Sequence, residues 1–193
     1  VSKRIGILGG AFDPIHYGHL LLASEATHQL KLNLAVFVPT FISAHKNKRI
    51  RTPFTDRFAM VAAAVADVRS FVVSDIESGL SGRSYTVNTL KELRKHYRKD
   101  EFFFLIGADN VEQLRTWHKP EELTQLATLA VASRPGYSPK LPDLPNVVTF
   151  EMPLLEISAS DIRSRVKQGI PIAYMVPPVV EKYIKKRGLY RGQ

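Results

Sequence analysis

Two histidines three residues apart, His16 and His19, close the stretch GGAFDPIHYGH that begins at Gly9. A plain turn would use the glycines and the proline of this stretch but not its histidines. A metal site would want more ligands nearby. A phosphate site would use all of it. A Gly-Gly turn between strand and helix lets backbone N–H groups approach phosphate oxygens, and His16 and His19 would straddle the helix start with Gly18 leaving room between them. Groups suited to anions recur further along. HKNKRIR, from His45 to Arg51, packs basic side chains closely. GRSYTVNT, from Gly82 to Thr89, opens an amphipathic helix whose first N–H groups are unpaired. GADN (Gly107 to Asn110) and SRPG (Ser133 to Gly136) each follow an apolar run. ISASDIR, from Ile157 to Arg163, sets Ser158 and Asp161 at capping-box spacing and puts Ser160 and Arg163 on one face near a helix amino end. Blander readings stand beside these: a basic run is commonly a solvated loop, and a Ser-x-x-Asp is commonly only a cap.

The elements around these residues read as alternating strands and helices. Apolar runs at Ile5–Leu8, Leu34–Pro39, Phe71–Ile76, Glu101–Gly107 and Thr128–Ser133 have the length and composition of buried strands. Helical periodicity spans Gly18–Leu30, Phe54–Asp67 and Ser84–Tyr97, the last with Val87, Leu90, Leu93 and Tyr97 on one face. Arg134 to Asn146 carries four prolines and reads as a surface loop. Two helices are expected near Ser160–Gln168 and Pro178–Lys186. The alternation argues for βαβ units and a parallel sheet in one domain spanning 1–193, with a helical part from about 157 onward. Ligands of open parallel sheets bind beyond the carboxyl ends of the strands. Three of the motifs follow a strand directly, so they describe one crevice.

The composition is that of an ordinary globular domain, 45% hydrophobic and 23% charged. There is no cysteine, which excludes disulfides, thiolate catalysis and cysteine-type zinc sites. The opening VSKRIGILGG is too short and too broken for a signal peptide, and no stretch has transmembrane length, so a cytoplasmic protein without a membrane partner is expected. The net charge of +9 suits an anionic partner: nucleic acid, an acidic membrane surface or phosphorylated small molecules. No G-x-G-x-x-G or G-x-x-x-x-G-K-[ST] fingerprint occurs, which weakens hydride transfer and P-loop hydrolysis.

GGAFDPIHYGH resembles the first signature of the H-x-G-H nucleotidyltransferases, and ISASDIR resembles their second. His45–Lys46, GRSYTVNT, IGADN, Trp117 and SRPG narrow the resemblance to the bacterial nicotinate mononucleotide adenylyltransferases, in the family's order and over nearly the whole chain. The chain departs from the family pattern at Ala11, where Thr is frequent, at Ser43–Ala44, where prolines are common, and at Ala159, where a second Ser is frequent. None of these removes a charged group. The resemblance implies a Rossmann-like, doubly wound parallel sheet with helices on both faces and a small helical segment at the carboxyl end. It implies transfer of the adenylyl group of ATP to nicotinate mononucleotide, with Mg²⁺ bridging ATP oxygens largely through water. ATP would meet Gly9, Gly10, Ala11, Phe12, His16, His19, Gly107, Asp109, Arg134, Ser158, Ser160 and Arg163. The mononucleotide would meet His45, Lys46, Ser84, Tyr85, Thr86 and Trp117. His16, His19, Lys46 and Arg163 would carry the catalytic charge stabilisation, and no protein ligand for a metal is implied. No nucleic acid is expected as partner, and a homo-oligomer is compatible with the sequence. The rival readings are another nucleotidyltransferase with the same first signature, acting on phosphopantetheine or forming a cytidylyl ester, and a basic nucleic-acid-binding module.

Overall fold

The computed structural model describes residues 2–44, 50, 52–107, 111, 114–133, 141 and 143–192. Six strands form one sheet: β1 (Arg4–Gly10), β2 (Leu34–Pro39), β3 (Phe71–Val73), β4 (Glu101–Gly107), β5 (Thr128–Ser133) and β6 (Val147–Glu151). Their spatial order is β3-β2-β1-β4-β5-β6, and every pairing is parallel. This is the doubly wound order.

The strand period of two sorts the apolar side chains onto two faces. Ala35, Phe37, Phe103, Leu105, Ala130 and Ala132 join one core with the helices α1 (Tyr17–Gln29), α2 (Phe54–Val65), α5 (Ala159–Lys167) and α6 (Pro178–Arg187). Val36, Val38, Phe102, Phe104, Ile106, Leu129 and Val131 join the other with α3 (Thr86–His96) and α4 (Pro120–Leu126). Strands covered on both faces read as continuous apolar runs, which is why β2, β4 and β5 fall where the sequence places them.

Three expectations are corrected. Gly9 and Gly10 do not form a turn: β1 runs through both, in register with Val38 and Pro39. The chain turns later, at Phe12, with φ 47°, and Asp13–Pro14, a cis peptide. The third strand stops at Val73, and Ile76 opens a 3₁₀ turn, Ile76–Gly79. Finally, β6 and α4 lie where no element was read. β6 is an edge strand with Phe150 as its one buried residue, and α4 has seven residues, too few for a periodic signal. Among the described residues no helix is long and apolar enough to cross a membrane.

Candidate active site

The strand order reverses between the parallel neighbours β1 and β4, and the carboxyl ends of those two strands open the crevice where ligands bind in such sheets. A cavity of about 550 Å³ lies there. Its floor is Leu8 to Gly10 from β1 with Ala11 just after it, Phe104 to Gly107 from β4, and Ala132 and Ser133 from β5. His16, just before α1, and Gly18, His19 and Leu22 of α1 form one wall. Thr40, Ser43 and Ala44 after β2, together with Ser84, Tyr85 and Thr86 before and in α3, form a second. Thr116, Trp117 and His118 follow, and Met152 to Leu155 with Ile157 close the remaining side.

The two histidines are held as a stacked pair. His16 is the residue before α1, and its extended backbone aims its N–H at Nδ1 of His19, 3.3 Å away. An acceptor at Nδ1 leaves the proton of the neutral ring on Nε2. The ring centroids of His16 and His19 are 3.7 Å apart, and the edge of Phe12 meets His19 at 5.0 Å. A Cβ at position 18 would lie 3.0 Å from Nδ1 of His16, so glycine is what admits this ring. Nδ1 of His16 is buried with no partner among the described residues. Burial pushes the His16 imidazole down to about 4, and burial with the neighbouring His16 pushes His19 well below its ordinary value. Both rings are therefore neutral near pH 7. With no acidic residue in its first turn, α1 presents its positive end to an anion.

Folding thus disfavours protonated His16, and stability depends on pH. The unfolded chain binds a proton below about pH 6.5, which the folded chain refuses until about pH 4. Stability is complete above 6.5 and declines as pH falls toward 4, by about 3 kcal/mol from this group. Urea unfolding of the wild type and His16→Asn at pH 7 and 4.5 checks this. The wild type should lose more stability than the variant, and equal losses would show that His16 titrates normally.

The SYT stretch, expected to meet the mononucleotide, lies at an uncapped helix start. Tyr85 precedes α3 without a side-chain cap, and Thr86 is its first residue. The Tyr85 ring lies against His118 at 4.3 Å, and Trp117 meets the Phe104 ring edge-to-face at 5.9 Å. Ser84 has a local task as well: its Oγ accepts the N–H groups of Phe41 at 3.2 Å and Ile42 at 3.1 Å.

Gly9, Gly10, Ala11, His16, His19, Ser84, Tyr85, Thr86, Gly107 and Trp117 are thus brought to one cavity. Phe12, Ser158, Ser160 and Arg163 are not part of its lining. The Phe12 side chain is 1% exposed and supports His19 from the core. Ser158 caps α5, its Oγ accepting the Asp161 N–H at 3.1 Å, and lies 3.0 Å from Ser160 Oγ. Arg163 Nη1 donates to the Asp13 carbonyl at 2.7 Å, which ties α5 to the turn before the histidines. His45, Lys46, Asp109 and Arg134 lie outside the described residues.

Sequence reasoning missed three buried groups that hold this frame. Arg57 of α2 is 1% exposed, and it donates to the carbonyls of Ala11 at 2.7 Å, Thr40 at 2.7 Å and Thr52 at 3.1 Å. Burial lowers its pKa, and the nearby Asp13, Tyr190 and Glu77 oppose that shift. The Tyr190 hydroxyl donates to Asp13 Oδ1 at 2.8 Å, and burial beside that carboxylate pushes the phenol up. Glu77 is the third. A helical arginine, a tyrosine in the turn after α6 and an isolated glutamate carry no spacing signal. The wall from Met152 to Ile157 was equally silent, being coil without a motif.

The cytidylyltransferase-like family model matches residues 7–165. A protein of Desulfitobacterium hafniense, described as "Probable nicotinate-nucleotide adenylyltransferase", is 46% identical over 98% of this chain and 96% of its own. One of Shouchella clausii with the same description is 47% identical over 97% of each chain. Among solved structures, the Plasmodium falciparum nicotinic acid mononucleotide adenylyltransferase complexed with NaAD superposes with a TM-score of 0.82 at 23% identity, covering 99% of this chain and 98% of that one. The fold is the same. On the extent of the family match and on identities above 40% along nearly its full length, the chain belongs to the cytidylyltransferase-like family and, within it, to the nicotinate-nucleotide adenylyltransferases.

Proposed function

We infer that this protein transfers the adenylyl group of ATP to nicotinate mononucleotide, releasing pyrophosphate and forming the deamido dinucleotide. The observation that carries the reading is the cavity itself. It brings together a neutral His16–His19 pair, at a helix start with no acidic residue in its first turn, and the uncapped start of α3, with the only tryptophan of the chain in the same lining. The first suits phosphates, and the second suits a flat ring bearing a carboxylate.

In this reading the mononucleotide's own phosphate oxygen attacks the α-phosphorus of ATP, and the bond to the leaving pyrophosphate breaks. No protein nucleophile is needed. Catalysis is alignment plus stabilisation of charge on the transferring group. His19, with its proton on Nε2, donates to the α-phosphate as charge develops. His16 and the first turn of α1 hold the adjacent phosphates, with Lys46, Asp109 and Arg134 as further candidate contacts from the sequence. Ser158, Ser160 and Arg163 complete the phosphate side, Arg163 having guanidinium nitrogens left after its bond to Asp13. Thr86 and the α3 N–H groups receive the ring carboxylate, while Trp117 covers the ring. Mg²⁺ would enter with the nucleotide as Mg–ATP, held largely by ATP oxygens and water, as the resemblance implies. The whole chain, 1–193, serves as one nucleotidyltransferase domain in the cytoplasm.

The test is pyrophosphate release with ATP or CTP against nicotinate mononucleotide, phosphopantetheine and alcohol phosphates. Turnover should require ATP and nicotinate mononucleotide together. Preference for phosphopantetheine or for CTP would move the protein to another branch of the family. Binding to nucleic acid should be electrostatic and lost with modest salt. Sequence-selective binding at physiological salt would favour the nucleic-acid module.

A further inference from the structure

The peptide bond between Thr40 and Phe41 is gripped from both sides by buried, oppositely charged side chains. Its carbonyl accepts from Arg57 Nη2 at 2.7 Å, and its N–H donates to Glu77 Oε2 at 3.0 Å. A peptide unit carries a dipole with its negative end at the oxygen. Here that end faces the guanidinium and the positive end faces the carboxylate, so both charges reinforce one orientation. The other oxygen of Glu77, Oε1, accepts the Thr89 hydroxyl at 2.8 Å, and Thr89 sits in the first turn and a half of α3. Glu77 is 7% exposed, Thr89 4% and Arg57 1%. Arg57 also donates to the Ala11 carbonyl, so the same cation reaches the segment that leads to the histidines.

The geometry points to Glu77 and Thr89 as positioning residues that set the mononucleotide end of the cavity, by fixing the α3 start against the Thr40–Ile42 segment. This rests on the substrate reading above. The two surfaces so joined both line the cavity: Thr40 on one side, and Ser84, Tyr85 and Thr86 on the other. Ser84 adds to the lacing, accepting from Phe41 and Ile42 and donating its own N–H to the Ile42 carbonyl at 2.9 Å. Removing the carboxylate leaves the Phe41 N–H only its longer bond to Ser84 Oγ at 3.2 Å and the Thr89 hydroxyl only the Tyr85 carbonyl of its own helix at 3.3 Å, so the link from α3 through Glu77 to the Thr40–Phe41 peptide is lost and the two walls can shift. The histidine pair at the start of α1 makes none of these bonds. The second Thr of SYTVNT thereby acquires a task that spacing alone did not give it.

The experiment uses Trp117, the only tryptophan in the chain and a cavity residue, as its reporter. Its fluorescence is titrated with nicotinate mononucleotide on the wild type, Glu77→Gln, Thr89→Val and Thr89→Ser, and KM for ATP and kcat are measured on each. Glu77→Gln and Thr89→Val should weaken mononucleotide binding about tenfold or more, with KM for ATP within about twofold of wild type. Thr89→Ser keeps the donor and should return to within about twofold of wild type. A general loss of structure would raise both constants together and would not be rescued by serine. The threonine pair keeps the test open should Glu77→Gln fail to fold. Wild-type binding by Glu77→Gln and Thr89→Val, or equal weakening of both substrates, would overturn the inference. No fluorescence response and no turnover with nicotinate mononucleotide in the wild type would instead overturn the substrate reading and the inference with it.

Discussion

His19→Ala should lower kcat by about 10²–10³ while KM for ATP changes little, the effect expected for loss of one preorganised donor to a developing charge. The structure gives the reason for placing the effect in kcat. Nδ1 of His19 is occupied by the His16 N–H, so only Nε2 offers a proton, and the ring is fixed by Phe12 and by the stacked His16. A ring held in one orientation needs no reorganisation when charge appears on the α-phosphate. Because burial and the neighbouring His16 keep the His19 imidazole neutral, its donor is present on both sides of pH 7. Turnover should therefore show no step from this group between about pH 6 and 8. Steady-state kinetics of the folded variant decide it. Undiminished turnover would remove His19 from the mechanism.

The second large effect is the preference for acid over amide. Nicotinate mononucleotide presents a carboxylate where nicotinamide mononucleotide presents a neutral amide. The uncapped start of α3 favours the anion by about 0.3–1 kcal/mol if exposed and up to about 2 if partly buried. The amide would also direct its NH₂ at other donors, at a desolvation penalty of about 1–3 kcal/mol. Trp117 would stack on either ring and would contribute little to the difference. Together the polar contributions give roughly two or more orders of magnitude in kcat/KM for the acid. Equal kcat/KM for the two mononucleotides would mean that the α3 start does not receive the carboxylate.

What could be read from the sequence follows from where the physical signal is local. Leu34–Pro39, Glu101–Gly107 and Thr128–Ser133 were legible because strands buried on both faces leave unbroken apolar runs. β6 was not, because only Phe150 of its five residues is buried and a proline-rich stretch precedes it. The histidine motif announced itself by residue type, but its shape did not. Gly9 and Gly10 read as a turn, and they are instead the end of a strand whose backbone lies open to the cavity. The frame behind the motif was illegible for a different reason. Tyr190 meets Asp13 across 177 positions, and Arg163 meets its carbonyl across 150. Arg57 and Glu77 look like ordinary surface charges until the fold buries them around one peptide bond. Contacts of that range exist only once the sheet has been assembled.

Direct adenylyl transfer between two bound nucleotides differs from transfer through an adenylated protein in the fate of the acceptor's oxygens. It is tested most directly by incubating the protein with Mg–ATP and nicotinate mononucleotide bearing ¹⁸O throughout its phosphate, then following the products by mass spectrometry and ³¹P NMR. Attack by the mononucleotide on the α-phosphorus predicts a deamido dinucleotide that keeps all the label, one labelled oxygen bridging its two phosphorus atoms, together with unlabelled pyrophosphate. Absence of the dinucleotide, ¹⁸O in the pyrophosphate, or an adenylyl group accumulating on the protein would contradict it.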